Sequence, residues 1–182
     1  MKDKKTLIFE KIQNLSSPRP VIGIDGFVGA GKSTLASEIS EQFNGIVISV
    51  DQLYDQWFDL FESADKLEKI HIKINEAITR YKSHEMIEIE LFDWEKRLWA
   101  KKDFLPEHKI LVLEGVGALH SKLRGNFDFT LYLEIELNWG IERSLIRDKL
   151  ESTLEITTFA NYAQLYLQQE SVAKNADFEL KV

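Results

Sequence analysis

The chain contains no cysteine, which excludes disulfides, thiolate metal sites and cysteine nucleophiles together. Its four histidines, His71, His84, His108 and His120, are scattered without ligand spacing, so no zinc centre is expected. No run approaches the roughly 18 apolar residues that a membrane-crossing helix needs. The opening Met1-Lys2-Asp3-Lys4-Lys5 leads into no long apolar stretch either. A soluble, cytoplasmic protein with no membrane partner is the expectation. Positive charge is also in short supply: Lys and Arg number 23 against 30 acidic residues, a formal charge of −7. Nucleic-acid binding is carried by Lys and Arg neutralising phosphates, so this balance argues against nucleic acid as the main partner. It leaves room for a local basic pocket. Repeats and low-complexity linkers are absent as well, and 182 residues suffice for one domain with a real core. Self-association into a homo-oligomer stays open.

What is present begins with Gly26-Phe27-Val28-Gly29-Ala30-Gly31-Lys32-Ser33-Thr34. This stretch fits G-x-x-x-x-G-K-[ST] at every fixed position. Glycines let the backbone curl so that successive N–H groups point inward at an anion. On that mechanism Gly26, Val28, Gly29, Ala30, Gly31, Lys32, Ser33 and Thr34 form a nucleotide-binding loop. Lys32 reaches the β- and γ-phosphates, and the Ser33 hydroxyl ligates Mg²⁺. The flanks supply the required context. Val21-Ile22-Gly23-Ile24 reads as a buried strand, and Leu35, Ala36, Ile39 and Phe43 mark one face of a following helix.

The rest alternates strand and helix. Residues 4–15 suggest a short amphipathic helix, followed by the stiff connector Ser16-Ser17-Pro18-Arg19-Pro20. Asn44-Gly45 closes the helix after the loop. Ile46-Val47-Ile48-Ser49-Val50 has the β-branched continuity of a strand buried on both faces, and ends at Asp51. An aromatic stretch (Tyr54, Trp57, Phe58, Phe61) precedes a helix to about Lys82, for which Asp65 and Glu68 resemble a capping pair. Ile87–Phe92 alternates as a half-exposed strand, and 95–102 reads as charged surface. Lys109–Leu113 and Phe129–Ile135 are two more buried strands. Asn138 is placed to cap a helix to about Leu150, with Ile141, Leu145 and Ile146 facing inward. One last helix spans about Thr158–Lys174, and 177–182 alternates as an edge strand. This order predicts a three-layer α/β/α sandwich with a mainly parallel sheet.

In such a sheet, ligands collect at the carboxyl ends of the strands. Three buried-type strands end on the phosphate loop, Asp51 and Glu114. Two carboxylates beside a phosphate loop suit Mg²⁺, which takes oxygen ligands, and a carboxylate can also accept a proton from an attacking hydroxyl. Acidic residues also end strands merely to face solvent, and that reading stays open for either one alone. Arg143 and Arg147 share a helix face at i, i+4 and repel unless an anion, or Glu151, lies between them.

These residues together resemble the uridine kinase-like small-molecule kinases of the P-loop class. Those include uridine–cytidine kinases, nicotinamide riboside kinases, pantothenate kinase and phosphoribulokinase. The resemblance runs from Val21 to about Asp177. Ile22-Gly23-Ile24-Asp25-Gly26 resembles the family's entry into the loop. Asp51-Gln52-Leu53-Tyr54 is similar to its D-D-F-Y segment, which implies a general base near the metal at Asp51. Phe92-Asp93-Trp94 resembles Y-D-[FWY], whose Asp holds ribose hydroxyls. Val112-Leu113-Glu114-Gly115-Val116 resembles the strand whose Glu is associated with Mg²⁺. Arg143 and Arg147-Asp148 resemble the lid arginines, and Ala176-Asp177 the adenine-side loop.

The resemblance implies ATP and Mg²⁺ as cofactors and a small-molecule acceptor, with a nucleoside such as uridine foremost. Catalytic roles fall to Lys32, Asp51, Arg143 and Arg147. Substrate contacts fall to Asp51, Tyr54, Asp93 and Trp94, and metal contacts to Ser33, Asp51 and Glu114. Residues 52–105 become the acceptor region and 140–160 the lid. The chain departs from the pattern at Gln52, where the family has a second Asp, and in a lid without an R-x-x-R-R-D run. Two alternatives stay open: an ATPase or switch coupled to a partner, and a binding protein of this fold without catalysis. A GTPase's N-K-x-D and a transporter ATPase's L-S-G-G-Q are both missing; the nearest string to the first, Lys174-Asn175-Ala176-Asp177, has the wrong order. Trp99, Trp139, Tyr162 and Tyr166 are read as packing, and His120 as a surface or satisfied histidine.

Overall fold

Strand β1 (Val21–Gly26) is buried along its whole length, as its run of apolar residues requires. The computed structural model describes residues 4–147 and 153–182. Asp148, Leu150 and Glu151, and with them the middle of the 140–160 span, lie outside the described residues. Before β1, helix α1 (Lys4–Gln13) sets Ile8 and Ile12 into the core. After β1 come α2 (Lys32–Phe43) and β2 (Gly45–Ser49), with Asn44 closing α2 in the left-handed region. The short α3 (Asp59–Glu62) and the long α4 (Ala64–Lys82) lead to a hairpin of β3 (Ile87–Asp93) and β4 (Leu98–Phe104). Then follow β5 (Ile110–Glu114), β6 (Phe129–Glu134), α5 (Leu137–Arg147), α6 (Thr153–Gln169), α7 (Val172–Asn175) and β7 (Phe178–Lys181).

Five strands form one parallel sheet in the order β2-β5-β1-β6-β7. Helices flank it: α2 lies against β1, β2 and β5, while α7 lies against β1 and β6. The result is the α/β sandwich expected from the alternation of elements. Strand β5 runs between β1 and β2, so these two strands, consecutive in the chain, are not neighbours in the sheet, and the carboxyl ends of all three meet. The hairpin stands apart as a two-stranded antiparallel sheet. No described helix is long and apolar enough to cross a membrane.

Several local expectations differ from the structure. Strand β2 is an edge strand with Ile46 and Ile48 buried and Val47 only partly so. A β-branched run satisfies one covered face as well as two. Residues 95–102 are exposed as expected, but they are not plain loop: β4 begins at Leu98. It was illegible because six of its seven residues are exposed, leaving no burial period to read. Helix α4 is capped by the Ser63 hydroxyl, which accepts from the Lys66 N–H, rather than by Asp65 and Glu68. Likewise the Glu136 carboxylate, not Asn138, receives an N–H in the first turn of α5, that of Trp139. Ile146 points outward, 71% exposed. The last helix is interrupted at Ser171, whose φ is 50°, so α6 and α7 are separate. Trp139 is exposed rather than packed, while Trp99 and Tyr162 are partly solvated but pack on Phe92 and on Phe58 and Phe61, and Tyr166 is buried. Ala176-Asp177 sits at the amino end of β7, where Asp177 accepts from the Thr130 N–H and hydroxyl. Parallel topology therefore places it away from the carboxyl ends, where the ligand crevice lies.

Candidate active site

The loop from Gly26 to Thr34 leaves β1 and enters α2 at Gly31, whose φ of 85° suits glycine. Lys32 is nearly buried, and its ammonium group donates to the carbonyls of Gly26 (3.0 Å) and Phe27 (2.9 Å). The lysine thus folds back over its own loop. Gly26 and Ala30 shape the loop from behind. Val28, Gly29, Gly31, Lys32, Ser33 and Thr34 face a cavity of about 810 Å³.

The register of β5 explains what stands opposite. Glu114 pairs with Ile24 of β1 on one side and Ser49 of β2 on the other. It is therefore held between the phosphate loop and the segment that leaves β2. The Ser33 hydroxyl donates to Glu114 Oε1 at 3.1 Å. Burial raises the Glu114 pKa, and the Asp51 charge adds to this. Lys32 and the hydroxyls of Ser49 and Ser33 pull it back. The Glu114 and Asp51 carboxylates with the Ser33 hydroxyl are a set of hard oxygen donors suited to a cation. Among the described residues no three His, Asp or Glu side chains close on one point. A donor set of oxygens fits Mg²⁺, which takes hard oxygen ligands and keeps several waters.

Asp51 lies on the single 3₁₀ turn Val50–Gln52 beyond β2 and is exposed to the cavity. The Tyr54 hydroxyl donates to Asp51 Oδ1 at 3.0 Å, and the Trp94 indole N–H donates to the Asp51 carbonyl at 2.7 Å. Burial, with the neighbouring Asp51 charge behind it, raises the Tyr54 pKa well above its usual value, so the phenol stays a donor. Tyr54, Trp57 and Trp94 pack ring to ring, and Trp57 continues onto Phe159 of α6. These four aromatics line the same cavity as the phosphate loop.

Arg143 and Arg147, one turn apart on α5, reach the same cavity. Their helix is pressed against the loop: a Cβ on Gly29 would collide with the Gly140 carbonyl, and one on Gly140 would lie 2.5 Å from the Val28 carbonyl oxygen. Of the four expected substrate contacts, Asp93 alone does not line the cavity. Its Oδ1 accepts from the N–H groups of Glu95 and Lys96, and its Oδ2 meets the Lys96 ammonium at 2.9 Å. These bonds hold its pKa below the usual range. As it stands, Asp93 shapes the turn of the hairpin.

Sequence reasoning passed over Glu95, Arg97, Val116, Ile156 and Phe159, which also line the cavity. It also assigned nothing to Asp25. That carboxylate is fully buried and accepts from Gly26 N–H (2.7 Å), Leu119 N–H (2.9 Å) and the Tyr166 hydroxyl (2.8 Å). Desolvation raises its pKa against the pull of these donors and Lys32. It ties the root of the phosphate loop to the segment after Glu114 and to α6. The signal was available: a lone acid at the end of an apolar strand needs buried partners.

The chain is similar to known kinases in sequence and in fold. The model of the phosphoribulokinase / uridine kinase family matches residues 62–159, which excludes the phosphate loop and so supports the assignment independently of it. A uridine kinase of Clostridium botulinum is 32% identical over 143 residues, 71% of this chain and 69% of that protein. Uridine-cytidine kinase C of Dictyostelium discoideum is 30% identical over 137 residues, 70% of this chain but only 28% of that much longer protein. The structure of a possible uridine kinase from Bacillus stearothermophilus superposes with a TM-score of 0.72 at 21% identity, covering 98% of this chain and 97% of that one. That likeness speaks for the fold, and the family match over more than half of the chain speaks for descent. The chain belongs to the phosphoribulokinase/uridine kinase family of P-loop kinases.

Proposed function

We propose that this protein transfers the γ-phosphoryl group of ATP to a hydroxyl of a small molecule, a nucleoside such as uridine. One observation carries the reading. Asp51 lines one cavity together with the phosphate loop and with Tyr54, Trp57 and Trp94. The names of the related kinases support a nucleoside acceptor.

In this reading Lys32 leaves the Gly26 and Phe27 carbonyls for the phosphates, a move between acceptors already within its reach. Ser33, Glu114 and Asp51 would hold Mg²⁺, which would offset the negative charge of the phosphates. Asp51 accepts the proton of the acceptor hydroxyl, an effect worth about 10²–10⁴ in rate. Arg143 and Arg147 neutralise charge on the transferring group from the lid side. Asp93 turns from Lys96 to the sugar hydroxyls. Only the solvent-exposed contact of Oδ2 with the Lys96 ammonium is given up, since Oδ1 keeps both N–H bonds.

The test is ADP release from ATP and Mg²⁺ with and without a nucleoside panel. Stimulation by one nucleoside, with a phosphorylated product, is the expected result. Hydrolysis indifferent to every nucleoside would overturn the acceptor assignment, and nucleotide binding without turnover would overturn the kinase reading altogether.

A further inference from the structure

Asp51 has little backbone support of its own. It sits on one 3₁₀ turn beyond an edge strand, and turns of that length are weak anchors. Two bonds from outside the turn compensate. Tyr54 holds the carboxylate at Oδ1, and the Trp94 indole N–H holds the peptide carbonyl at 2.7 Å. Trp94 comes from the hairpin, 43 residues along the chain. Its ring is itself fixed, with Phe92 at 5.0 Å, Trp57 at 5.6 Å and Tyr54 at 6.1 Å between ring centres.

We infer that Trp94 is a positioning residue: its indole N–H fixes the Asp51 peptide, so the hairpin on the acceptor side sets where the base stands. The inference rests on Asp51 being the base. A phenylalanine at this place keeps the aromatic packing and loses the anchor. Catalytic geometry is sensitive to such anchors, since a displacement of about 1 Å can cost about a hundredfold in rate. The rival role, a stacking wall for a planar acceptor, makes the opposite kinetic prediction. A wall contributes to acceptor binding, whereas an anchor contributes to turnover.

Two measurements decide. In protein labelled with ¹⁵N on its four tryptophans, Trp94→Phe identifies the Trp94 indole signal by its disappearance. That N–H should exchange with solvent at least about tenfold more slowly than the indole of Trp139, which is 62% exposed. It should keep this protection in Asp51→Asn, because its acceptor is the backbone. Exchange as fast as that of Trp139 overturns the inference, whatever the acceptor proves to be.

The second measurement is steady-state kinetics with ATP and uridine. Trp94→Phe should lower kcat at least about tenfold while both KM values stay within about twofold. Trp99→Phe removes another indole bond of the same hairpin, to Asp55 at 3.2 Å, and should leave kcat near wild type. A raised uridine KM with kcat retained in Trp94→Phe assigns the wall role and overturns the anchor. Wild-type enzyme that ignores uridine would sink the acceptor proposal alone, since the exchange experiment still judges Trp94.

Discussion

Replacing Gly140 by alanine tests the seam between the phosphate loop and the arginine-bearing helix. A Cβ there would lie 2.5 Å from the Val28 carbonyl oxygen and 2.8 Å from Phe27 Cδ1. The carbonyl is backbone and cannot swing aside. Restoring a separation of 3.0–3.4 Å therefore pushes α5 back from the loop by about 0.5–0.9 Å. Arg143 and Arg147 are three and seven residues further on, on the same face of the helix as Gly140, and move with it. A shift of that size should lower kcat by about tenfold to a hundredfold. Helix propensity acts in the opposite direction, because alanine in a helix interior is favoured over glycine by about 1 kcal/mol. The two effects separate cleanly. ADP release in the presence of uridine, alongside urea unfolding, should show reduced turnover without a gain in stability. A variant stabilised by about 1 kcal/mol with unchanged kcat would refute the seam, because it would mean that α5 does not touch the loop.

Asp51→Asn should bind ATP within about twofold of wild type, by nucleotide titration, and lose at least about a hundredfold in turnover. Near-normal turnover would remove Asp51 from the base role. His71 is 2% exposed, neither ring nitrogen has a hydrogen-bond partner, and its ring lies 4.5 Å from that of His120. Burial first, then His120 and Lys122, lower its pKa from 6.5 to about 4, against the pull of Glu68 and Glu170. Since the folded value is depressed, the neutral form is the folded one. Stability is complete above pH 6.5 and falls as pH drops toward 4. The loss should reach about 2 kcal/mol by pH 5. In urea unfolding between pH 7 and pH 5, wild type should therefore lose about 2 kcal/mol more stability than His71→Phe, and parallel curves would contradict the assignment. Tyr166→Phe removes one of three donors from the buried Asp25 carboxylate. It should cost about 1–3 kcal/mol in the same assay, and an unchanged unfolding midpoint would mean that the two N–H groups suffice.

The chain alone determined those features that depend on residues close together in sequence. Gly26–Thr34 carries its spacing, its flanking strand and its helix within about 25 residues, so its local structure needed no tertiary context. The same holds for the buried runs that became β1, β5 and β6, because burial on both faces leaves an unbroken apolar run. The candidate acids Asp51 and Glu114 were legible as strand ends.

Only the tertiary structure decided how those ends meet. Glu114 stands between the loop and Asp51 because β5 inserts between β1 and β2, an ordering that no local pattern encodes. The same is true of the bonds from Trp94 to Asp51 and from Tyr166 to Asp25, which span 43 and 141 residues. Strand β4 was hidden for a different reason: its side chains are solvated, so only its pairing with β3 makes it a strand. Periodicity records what is buried, and registry between distant segments is recorded only in the folded packing.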